Sequence, residues 1–324
     1  MNKWTDIINC INDSKDIVIL THTNMDGDAM GSTAALCCAL RRLGKRAAVL
    51  IEDAIPGYLS VIDHKTNDPY FVSEMPFDAD LAIAVDCGDE KRIENRIDAF
   101  KNAKTRLCID HHIQMEDFAD YRVVEPQAAA TGMLIFELLS ELNFKIDKEI
   151  AEYLYVAIVT DTGRFKYDNT TAEVHKTVAK LYEYGIDGSA ICTALYDSYP
   201  IEQLKAEAHA QELMELFADN KAVISNIRIS DMQRIGAAFD QIDTCIDRIR
   251  VTGGVEIAAF LKEKEPNVFK LSLRSKSYAD VNKVAQALGG GGHIRAAGAT
   301  LEMDIDKAYA LIKEEVEKEL KRYN

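Results

Sequence analysis

Four short apolar runs in the first half of the chain alternate with helical patterns, and this alternation limits the fold more than any other feature. The runs cover residues 17–20, 47–51, 81–85 and 106–109, and an Ala- and Leu-rich helical pattern extends from about 29 to 43. Continuous apolar runs separated by helices are typical of a parallel sheet that is buried on both faces. Further helical patterns cover 129–142, 148–159 and 171–184. The first half is therefore predicted to be an α/β domain with a parallel sheet.

The second half has a different pattern, which predicts a separate domain. Strand patterns at 221–227, 255–261, 268–274 and 296–303 accompany helical patterns at 281–288 and 306–322. Residues 262–267, which include Pro266, are predicted to form the turn of a hairpin. A chain of 324 residues exceeds one ordinary domain, and Pro200 lies between two helical patterns. We expect a first domain over 1–195, a linker over 196–204 and a smaller mixed-sheet α/β domain over 205–324.

The composition indicates which binding partners and which cellular compartment suit this chain. The formal net charge of −15 argues against a long nucleic acid partner, because such proteins present many Lys and Arg side chains to phosphates. A small anionic substrate that meets a local positive centre is favoured instead. The apolar runs are too short for a membrane helix, residues 1–13 lack a signal-peptide pattern, and the seven cysteines have no zinc-type spacing. We expect a cytoplasmic protein with reduced thiols and no membrane partner.

The segment 21–28 carries the strongest chemical signal. His22, Asp26 and Asp28 follow the first apolar run and lead into a helical pattern. In open α/β sheets, ligands bind outside the carboxyl ends of the strands, and carboxylate and imidazole ligands together suit divalent ions such as Mn²⁺. A turn whose aspartates cap the next helix explains this segment, taken alone, equally well.

The ends of two further apolar runs favour the metal-site interpretation over the helix-cap interpretation. Asp86 follows the run 81–85, and Asp110-His111-His112 follows the run 106–109. Parallel strands end at the same edge of a sheet, where gathered carboxylates repel one another unless cations or protons hold them. The sequence therefore predicts a metal site at this edge. Asp161 follows a helical pattern instead of a strand, and taken singly it fits a helix-terminal turn as well as a metal ligand.

Four sequence motifs in one order carry a family resemblance. HTNMDGD (22–28), VDCGD (85–89), DHH (110–112) and DTGRF (161–165) resemble the four motifs of the DHH phosphoesterase superfamily. LSLRSK (271–276) and GGGGHIRAAGAT (289–300) resemble its DHH-associated phosphate-binding domain. The resemblance therefore extends over most of the chain.

The resemblance implies a role for each motif residue. It implies two bound Mn²⁺ ions, for which Mg²⁺ or Co²⁺ can substitute, and six ligands: His22 and Asp26 for one ion, Asp28, His111 and Asp161 for the other, and Asp86 bridging both. His112 is expected to face the scissile phosphate, and Asp110 is expected to orient the site around it.

The second domain is expected to bind substrate. Glycines 289–292 predict a loop whose backbone N–H groups bind an anion, although a helix stop accounts for part of such a run. The resemblance implies that His293 meets the scissile phosphate from the side opposite the metals. It assigns substrate contacts to Arg274, with Ser272 and Ser275 nearby, to Gly290, Gly291 and Gly292, and to Arg295. The active site is then expected in a cleft between the domains, which closes on substrate.

The length and the lack of additional domains resemble the stand-alone nanoRNase/pAp phosphatase branch of the superfamily. The implied activity is hydrolysis of very short oligonucleotides, linear dinucleotides such as pApA, and 3′-phosphoadenosine 5′-phosphate (pAp), by two-metal activation of a bridging water. One alternative is a pyrophosphatase or polyphosphatase with the same metal motifs, although Arg274 and the glycine run favour nucleotides. Another is a non-catalytic nucleotide-binding module, which predicts loss of at least one metal ligand, whereas all six are present.

Overall fold

The structure is a computed structural model that describes residues 3–59, 70–75, 77–112 and 118–323. The chain divides into two compact units, Met1–Ser198 and Tyr199–Asn324. The first helix after this division begins at Ile201. None of the helices in the described part of the chain has the length and apolar character that a bilayer crossing requires.

The first unit contains a six-stranded parallel sheet, which confirms the predicted fold. Its strands are β1 (Asp16–Leu20), β2 (Arg46–Leu50), β3 (Phe71–Val72), β4 (Leu81–Val85), β5 (Thr105–Asp110) and β6 (Tyr121–Val124). They lie in the order β3-β2-β1-β4-β5-β6, with each neighbouring pair parallel. In this doubly wound order the winding reverses between β1 and β4, and such folds bind ligands outside the carboxyl ends of the strands at that point.

Helices and two apolar cores cover both faces of this sheet. The helices are α1 (Thr5–Asp13), α2 (Gly27–Arg42), α3 (Ile97–Lys101), α4 (Thr131–Glu141), α5 (Lys148–Asp161), α6 (Ala172–Glu183) and α7 (Gly188–Tyr196). Ile17 and Ile19 of β1 belong to the core that includes α2, α4 and α5. Val18 and Leu20 belong to the opposite core with Phe100 of α3. Burial of both faces explains why the strands are continuous apolar runs without polar alternation.

Two glycines let α2, α4 and α5 approach one another closely. A Cβ atom at Gly31 of α2 would lie 2.4 Å from the backbone oxygen of Tyr153 in α5. A Cβ atom at Gly132 of α4 would lie 2.5 Å from the Cβ of Ala157, also in α5. Since carbon atoms in contact prefer separations of about 3.5–4.0 Å, neither position has room for a side chain. The contact brings the first turns of α2 and α4 beside the last turns of α5.

The second unit contains a mixed six-stranded sheet, also as predicted. Its strands are β7 (Glu215–Phe217), β8 (Ala222–Ile227), β9 (Ile257–Glu265), β10 (Val268–Ser275), β11 (Gly291–Gly292) and β12 (Ala296–Glu302), in the order β11-β12-β10-β9-β8-β7. Strands β8 and β9 are parallel, and the other neighbouring pairs are antiparallel. Its helices are α8 (Ile201–Glu212), α9 (Ile229–Ile235), α10 (Cys245–Arg250), α11 (Val281–Ala287) and α12 (Ile305–Leu320).

One turn is shorter than the sequence predicted. The hairpin turn expected over 262–267 is confined to Pro266 and Asn267, because β9 continues to Glu265. Asn267 has a φ of 62°, in the left-handed region that Asn tolerates in tight turns. The sequence predicted a loop there because the last residues of β9 are polar. In the structure these residues pair with β10 and form the end of the hairpin next to the turn.

Candidate metal centre

The sheet topology gathers the acidic and histidine side chains of the first unit. His22 lies in the loop after β1, and Asp26 and Asp28 lie at the start of α2. Asp86 follows β4, the strand adjacent to β1, and His111 follows β5, the strand adjacent to β4. Asp161, the last residue of α5, comes to the same place from the helical layer. All six predicted metal ligands therefore meet at the switch point of the sheet.

The six side chains form two groups that share the centre at Asp86. The Nε2 atom of His22 lies 3.8 Å from Asp26 Oδ2 and 3.6 Å from Asp86 Oδ2. The Nε2 atom of His111 lies 3.6 Å from Asp86 Oδ1, 3.7 Å from Asp28 Oδ2 and 3.6 Å from Asp161 Oδ2. Ligand atoms lie within 4.8 Å of one another in each of two sets, His22 with Asp26 and Asp86, and Asp28 with His111 and Asp161, a spacing that suits a shared metal ion. Asp86 reaches the second set through His111. The two oxygens of Asp86 face different groups.

Backbone carbonyls orient both histidines. His22 Nδ1 lies 2.8 Å from the Thr23 carbonyl oxygen, and His111 Nδ1 lies 3.0 Å from the Ala128 carbonyl oxygen. A carbonyl oxygen only accepts hydrogen bonds, so each Nδ1 donates and each Nε2 is the nitrogen that faces the centre. This arrangement is typical of metal-binding histidines, whose second nitrogen is fixed by an outer partner.

The carboxylates require positive charge. Asp28 is 1% exposed, and burial together with the charges of Asp86 and Asp161 raises its pKa well above the ordinary value. Burial also raises the pKa of Asp161, to about 6, although the nearby His111 opposes this shift. In the described part of the chain, histidines are the basic side chains that pair with these aspartates. The oxygen-rich, imidazole-containing donor set therefore fits divalent cations, which would neutralise it.

Asp86 occupies an unusual backbone conformation at the centre. Its φ is 55°, in the left-handed region that non-glycine residues adopt at a cost in free energy. Burial acts to raise its pKa, but contact with His22 and the charges of the neighbouring histidines outweigh burial, so that the pKa falls below the ordinary value. A carboxylate that stays ionised between two groups of ligands is suited to bridge two cations.

Asp110 and His112 form a separate pair beside the metal ligands. His112 Nδ1 lies 2.7 Å from Asp110 Oδ1, which also accepts from the backbone N–H groups of His111 and His112. This hydrogen bond raises the pKa of His112. The His112 side chain is 41% exposed, whereas Asp110 is fully buried, so the imidazole is the member of the pair that a solute reaches. His112 Nδ1 also lies 3.7 Å from Asp86 Oδ1.

In the second unit, the substrate residues predicted on β10 point to opposite faces. Ser272 and Arg274 alternate with Leu271, Leu273 and Ser275, and Arg274 donates to the Leu273 carbonyl oxygen at 3.0 Å. Ser275 is only 2% exposed, and its hydroxyl lies 3.4 Å from the Ile294 carbonyl oxygen. Strand alternation therefore separates Ser275 from Arg274, although they are neighbours in sequence.

The glycine run is in part the helix stop that the sequence allowed, and in part a strand that the sequence did not reveal. Gly289 has a φ of 78° and ends α11, with N–H bonds from Gly289 to Gln286 and from Gly290 to Ala285. The run then forms the two-residue strand β11, so it is not entirely a loop. A Cβ atom at Gly290 would lie 2.1 Å from the Gly298 oxygen of β12, which explains why glycine is required there.

The other predicted residues of the second unit lie at the hairpin between β11 and β12. His293 is exposed, and its backbone N–H and carbonyl pair with those of Ala296. Arg295 donates to the Ala279 carbonyl oxygen at 2.7 Å, which ties the hairpin to the segment after β10. Thus Arg295 has a structural partner, while His293 is presented to solvent.

Sequence reasoning missed the neutral residues that hold the metal ligands. Thr131 and Gly132 donate to Asp28, and the Thr131 hydroxyl donates to Asp86. Asn169 donates to the backbone oxygens of Asp161 and Ala129 at 3.1 Å. Threonine, glycine and asparagine carry neither a charge nor an imidazole, so the residue types alone did not mark these positions as part of a metal site.

Known proteins resemble both units. The family model described as "DHH family, N-terminal domain" matches residues 16–158, and the one described as "DHHA1 domain" matches residues 219–321. The bifunctional oligoribonuclease and PAP phosphatase NrnA of Thermus thermophilus is 31% identical over 311 residues, which cover 94% of this chain and 90% of that protein.

Two solved structures share the fold. An exopolyphosphatase-related protein from Bacteroides fragilis has a TM-score of 0.91 at 24% identity, and the match covers 98% of this chain and 96% of that one. RecJ from Thermus thermophilus, in complex with Mn²⁺, has a TM-score of 0.56 at 15% identity, with 100% of this chain and 55% of that one covered. The family matches and the Thermus relative, together with the full set of motif residues at the switch point, show that this chain belongs to the DHH family and carries a DHHA1 domain.

Proposed function

We propose that this chain is a divalent-metal-dependent phosphoesterase that hydrolyses very short oligoribonucleotides, linear dinucleotides such as pApA, and pAp. The observation that carries the proposal is the convergence of six nitrogen and oxygen ligands in two groups around Asp86. The name of the Thermus relative, a bifunctional oligoribonuclease and PAP phosphatase, supports this substrate class. The negative charge of the chain also favours short substrates over long nucleic acid.

Mn²⁺ is the proposed metal. His22 and Asp26 would hold one ion, Asp28, His111 and Asp161 the other, and Asp86 both. When bound, two divalent ions would polarise phosphoryl oxygens and lower the pKa of water at the site. The mixed carboxylate and imidazole ligands and the Mn²⁺ complex of RecJ support this choice.

The remaining site residues are proposed to bind and orient the substrate. Asp110 holds His112 through Nδ1, which leaves Nε2 to contact an oxygen of the scissile phosphate. From the second unit, we propose that His293 and the backbone of the glycine hairpin meet the same phosphate, while Arg274 and Ser272 bind a second phosphate or a ribose. Ser275 and Arg295 are proposed to support these residues through their contacts with the hairpin and the segment before α11.

A substrate series tests the proposed activity. The full-length protein with Mn²⁺ is incubated with pAp, pApA, RNAs from dinucleotide to pentanucleotide, a long RNA and pyrophosphate, with the RNAs labelled separately at the 5′ and 3′ ends. We expect release of mononucleotides or phosphate from pAp and the shortest RNAs, and little cleavage of the long RNA. Faster hydrolysis of pyrophosphate, or no turnover of any nucleotide, contradicts the proposal.

Two variants from one motif provide a matched control. Asp86→Ala removes the shared ligand and is expected to abolish turnover and Mn²⁺ binding. Asp89→Ala removes a carboxylate three residues later that accepts from the Lys91 N–H and belongs to neither ligand group, so turnover is expected to persist. Near-normal activity of Asp86→Ala excludes its bridging role.

A further inference from the structure

One short segment before and within the first turn of α4 contacts three of the six candidate metal ligands directly and a fourth through Asn169. The segment is residues 128–132. Its Ala128 carbonyl accepts a hydrogen bond from His111, and its Ala129 carbonyl accepts one from Asn169, which also donates to the Asp161 carbonyl. The same segment donates to Asp28 and Asp86 through Thr131 and Gly132. None of the family motifs noted in the sequence includes this segment.

Thr131 is the residue of this segment that joins two ligands from different elements. Its backbone N–H donates to Asp28 Oδ2 at 2.6 Å, and its hydroxyl donates to Asp86 Oδ1 at 2.8 Å. Thr131 is fully buried, so water does not compete for either bond. The two carboxylates that it contacts are 103 and 45 residues away in sequence.

The hydroxyl of Thr131 has no role in capping its own helix. The N-cap position of α4 is Ala130, which has no side chain that caps, and Asp28 instead accepts from the N–H groups of Thr131 and Gly132. Helix N-termini favour carboxylates as hydrogen-bond acceptors, so the start of α4 is a suitable partner for Asp28. The Thr131 hydroxyl is thereby left for Asp86 alone.

These contacts select the orientation of the carboxylates. A hydrogen bond to one oxygen of a carboxylate fixes its plane and leaves the other lone pairs in set directions. Asp86 Oδ1 receives the Thr131 bond and also lies 3.6 Å from His111 Nε2, whereas Oδ2 faces His22. Rotation of the Asp86 carboxylate would therefore disturb both ligand groups together.

We propose that Thr131 is a positioning residue that holds Asp28 and Asp86 in the geometry required to bind two metal ions. The inference rests on the proposed function, since it assigns a role at the same centre. Outer partners of metal ligands typically contribute about 10–100-fold to metal affinity or activity. The Thr131 hydroxyl would act on bound metal ions through Asp86.

Variants that differ only in the hydroxyl test the proposal. Thr131→Val keeps the shape and the backbone N–H but removes the donor to Asp86, and Thr131→Ser keeps the donor. Thr33→Val is the matched control, because Thr33 is equally buried and its hydroxyl donates within α2 to Ala29 and Met30. Mn²⁺ binding is measured by calorimetry without substrate. Turnover of pAp is then measured as a function of Mn²⁺ concentration.

Thr131→Val is expected to weaken Mn²⁺ binding by about 10–100-fold and to move the Mn²⁺ dependence of turnover by the same factor. The KM for pAp at saturating Mn²⁺ is expected to stay unchanged, which a general loss of structure would not produce. Thr131→Ser and Thr33→Val are expected to bind Mn²⁺ like the unmodified protein. If Thr131→Val does not fold, Thr131→Ala provides the same comparison with less crowding.

Wild-type Mn²⁺ affinity in folded Thr131→Val or Thr131→Ala overturns the proposal, and so does an equal loss in Thr33→Val. The outcomes separate this inference from the proposed function, because binding is measured without substrate. A protein that loses Mn²⁺ affinity on Thr131→Val but hydrolyses no nucleotide supports the positioning role and contradicts the proposed function. An active protein that is insensitive to Thr131→Val does the reverse.

Discussion

Replacing Gly132 with alanine tests whether close helix packing supports the metal centre. The added Cβ would lie 2.5 Å from the Cβ of Ala157 and 3.4 Å from the Ser32 hydroxyl. Carbon contacts are most favourable at about 3.5–4.0 Å, so α4 and α5 must separate locally by about 1 Å. Overpacking of this kind costs roughly 1–3 kcal/mol. The shift also lengthens the 2.9 Å hydrogen bond from Gly132 N–H to Asp28, a buried carboxylate.

The expected loss of stability can be measured from the fluorescence of one tryptophan. Weakening a hydrogen bond to a buried charged group costs about 1–3 kcal/mol more, which gives a total of about 2–6 kcal/mol for Gly132→Ala. The chain contains one tryptophan, Trp4, which is buried in the first unit, so its fluorescence reports unfolding of that unit. A loss of 2 kcal/mol moves the urea midpoint by roughly 1 M.

A compensating substitution sharpens the test. Ala157→Gly removes the other partner of the clash and alone costs about 1 kcal/mol of helix propensity. The double variant is expected to be more stable than the sum of the single effects by about 0.5–3 kcal/mol. Gly57→Ala, where a Cβ meets no atom within 4 Å, is the control and is expected to leave the midpoint within about 0.5 kcal/mol. An unchanged midpoint for Gly132→Ala, or strict additivity in the double variant, refutes the reasoning.

Two further predictions concern metal and pH. Mn²⁺ at about 100 times its dissociation constant is expected to raise the free energy of unfolding of the first unit by about 2.7 kcal/mol. Chelation of the metal is expected to reverse this gain. An unfolding transition of the first unit that does not shift with Mn²⁺, measured by calorimetry or by Trp4 fluorescence, would contradict metal binding there. In the second unit, burial acts to raise the pKa of Glu256, but hydrogen bonds from Ser277, Tyr278 and Ala279 lower it below the ordinary value. A lowered folded-state pKa gives stability that is present above the unfolded-state pKa and lost as pH falls through the folded-state value. Glu256→Gln is therefore expected to lower the free energy of unfolding of this unit by about 1–3 kcal/mol at neutral pH. Denaturant titrations at several pH values are expected to show that the variant loses less stability on acidification than the unmodified protein. An equal loss of stability in acid would contradict this role of Glu256.

The sequence predicted the features that depend on near neighbours along the chain. The runs 81–85 and 106–109 became β4 and β5 because strands buried on both faces must be apolar throughout. Strands β3 and β6 were missed because they are short edge strands; Tyr121 of β6, for example, is 43% exposed, so burial leaves little pattern there. Five of the six candidate ligand positions were also readable, since charged and histidine residues at the ends of apolar runs stand out locally.

The tertiary structure decided which of these residues meet. Because β4 lies beside β1, Asp86 lies between His22 and His111. The packing of α5 on α2 brings Asp161 to the same place, and the residues alone had left its role open. Strand alternation turned Ser275 away from Arg274, and contact with β12 gave the glycine run its structural role. Thr131 acquired its role only through two contacts with residues far away in sequence. Local patterns encode burial and periodicity, whereas the partners of a neutral donor depend on topology and on how closely helices approach.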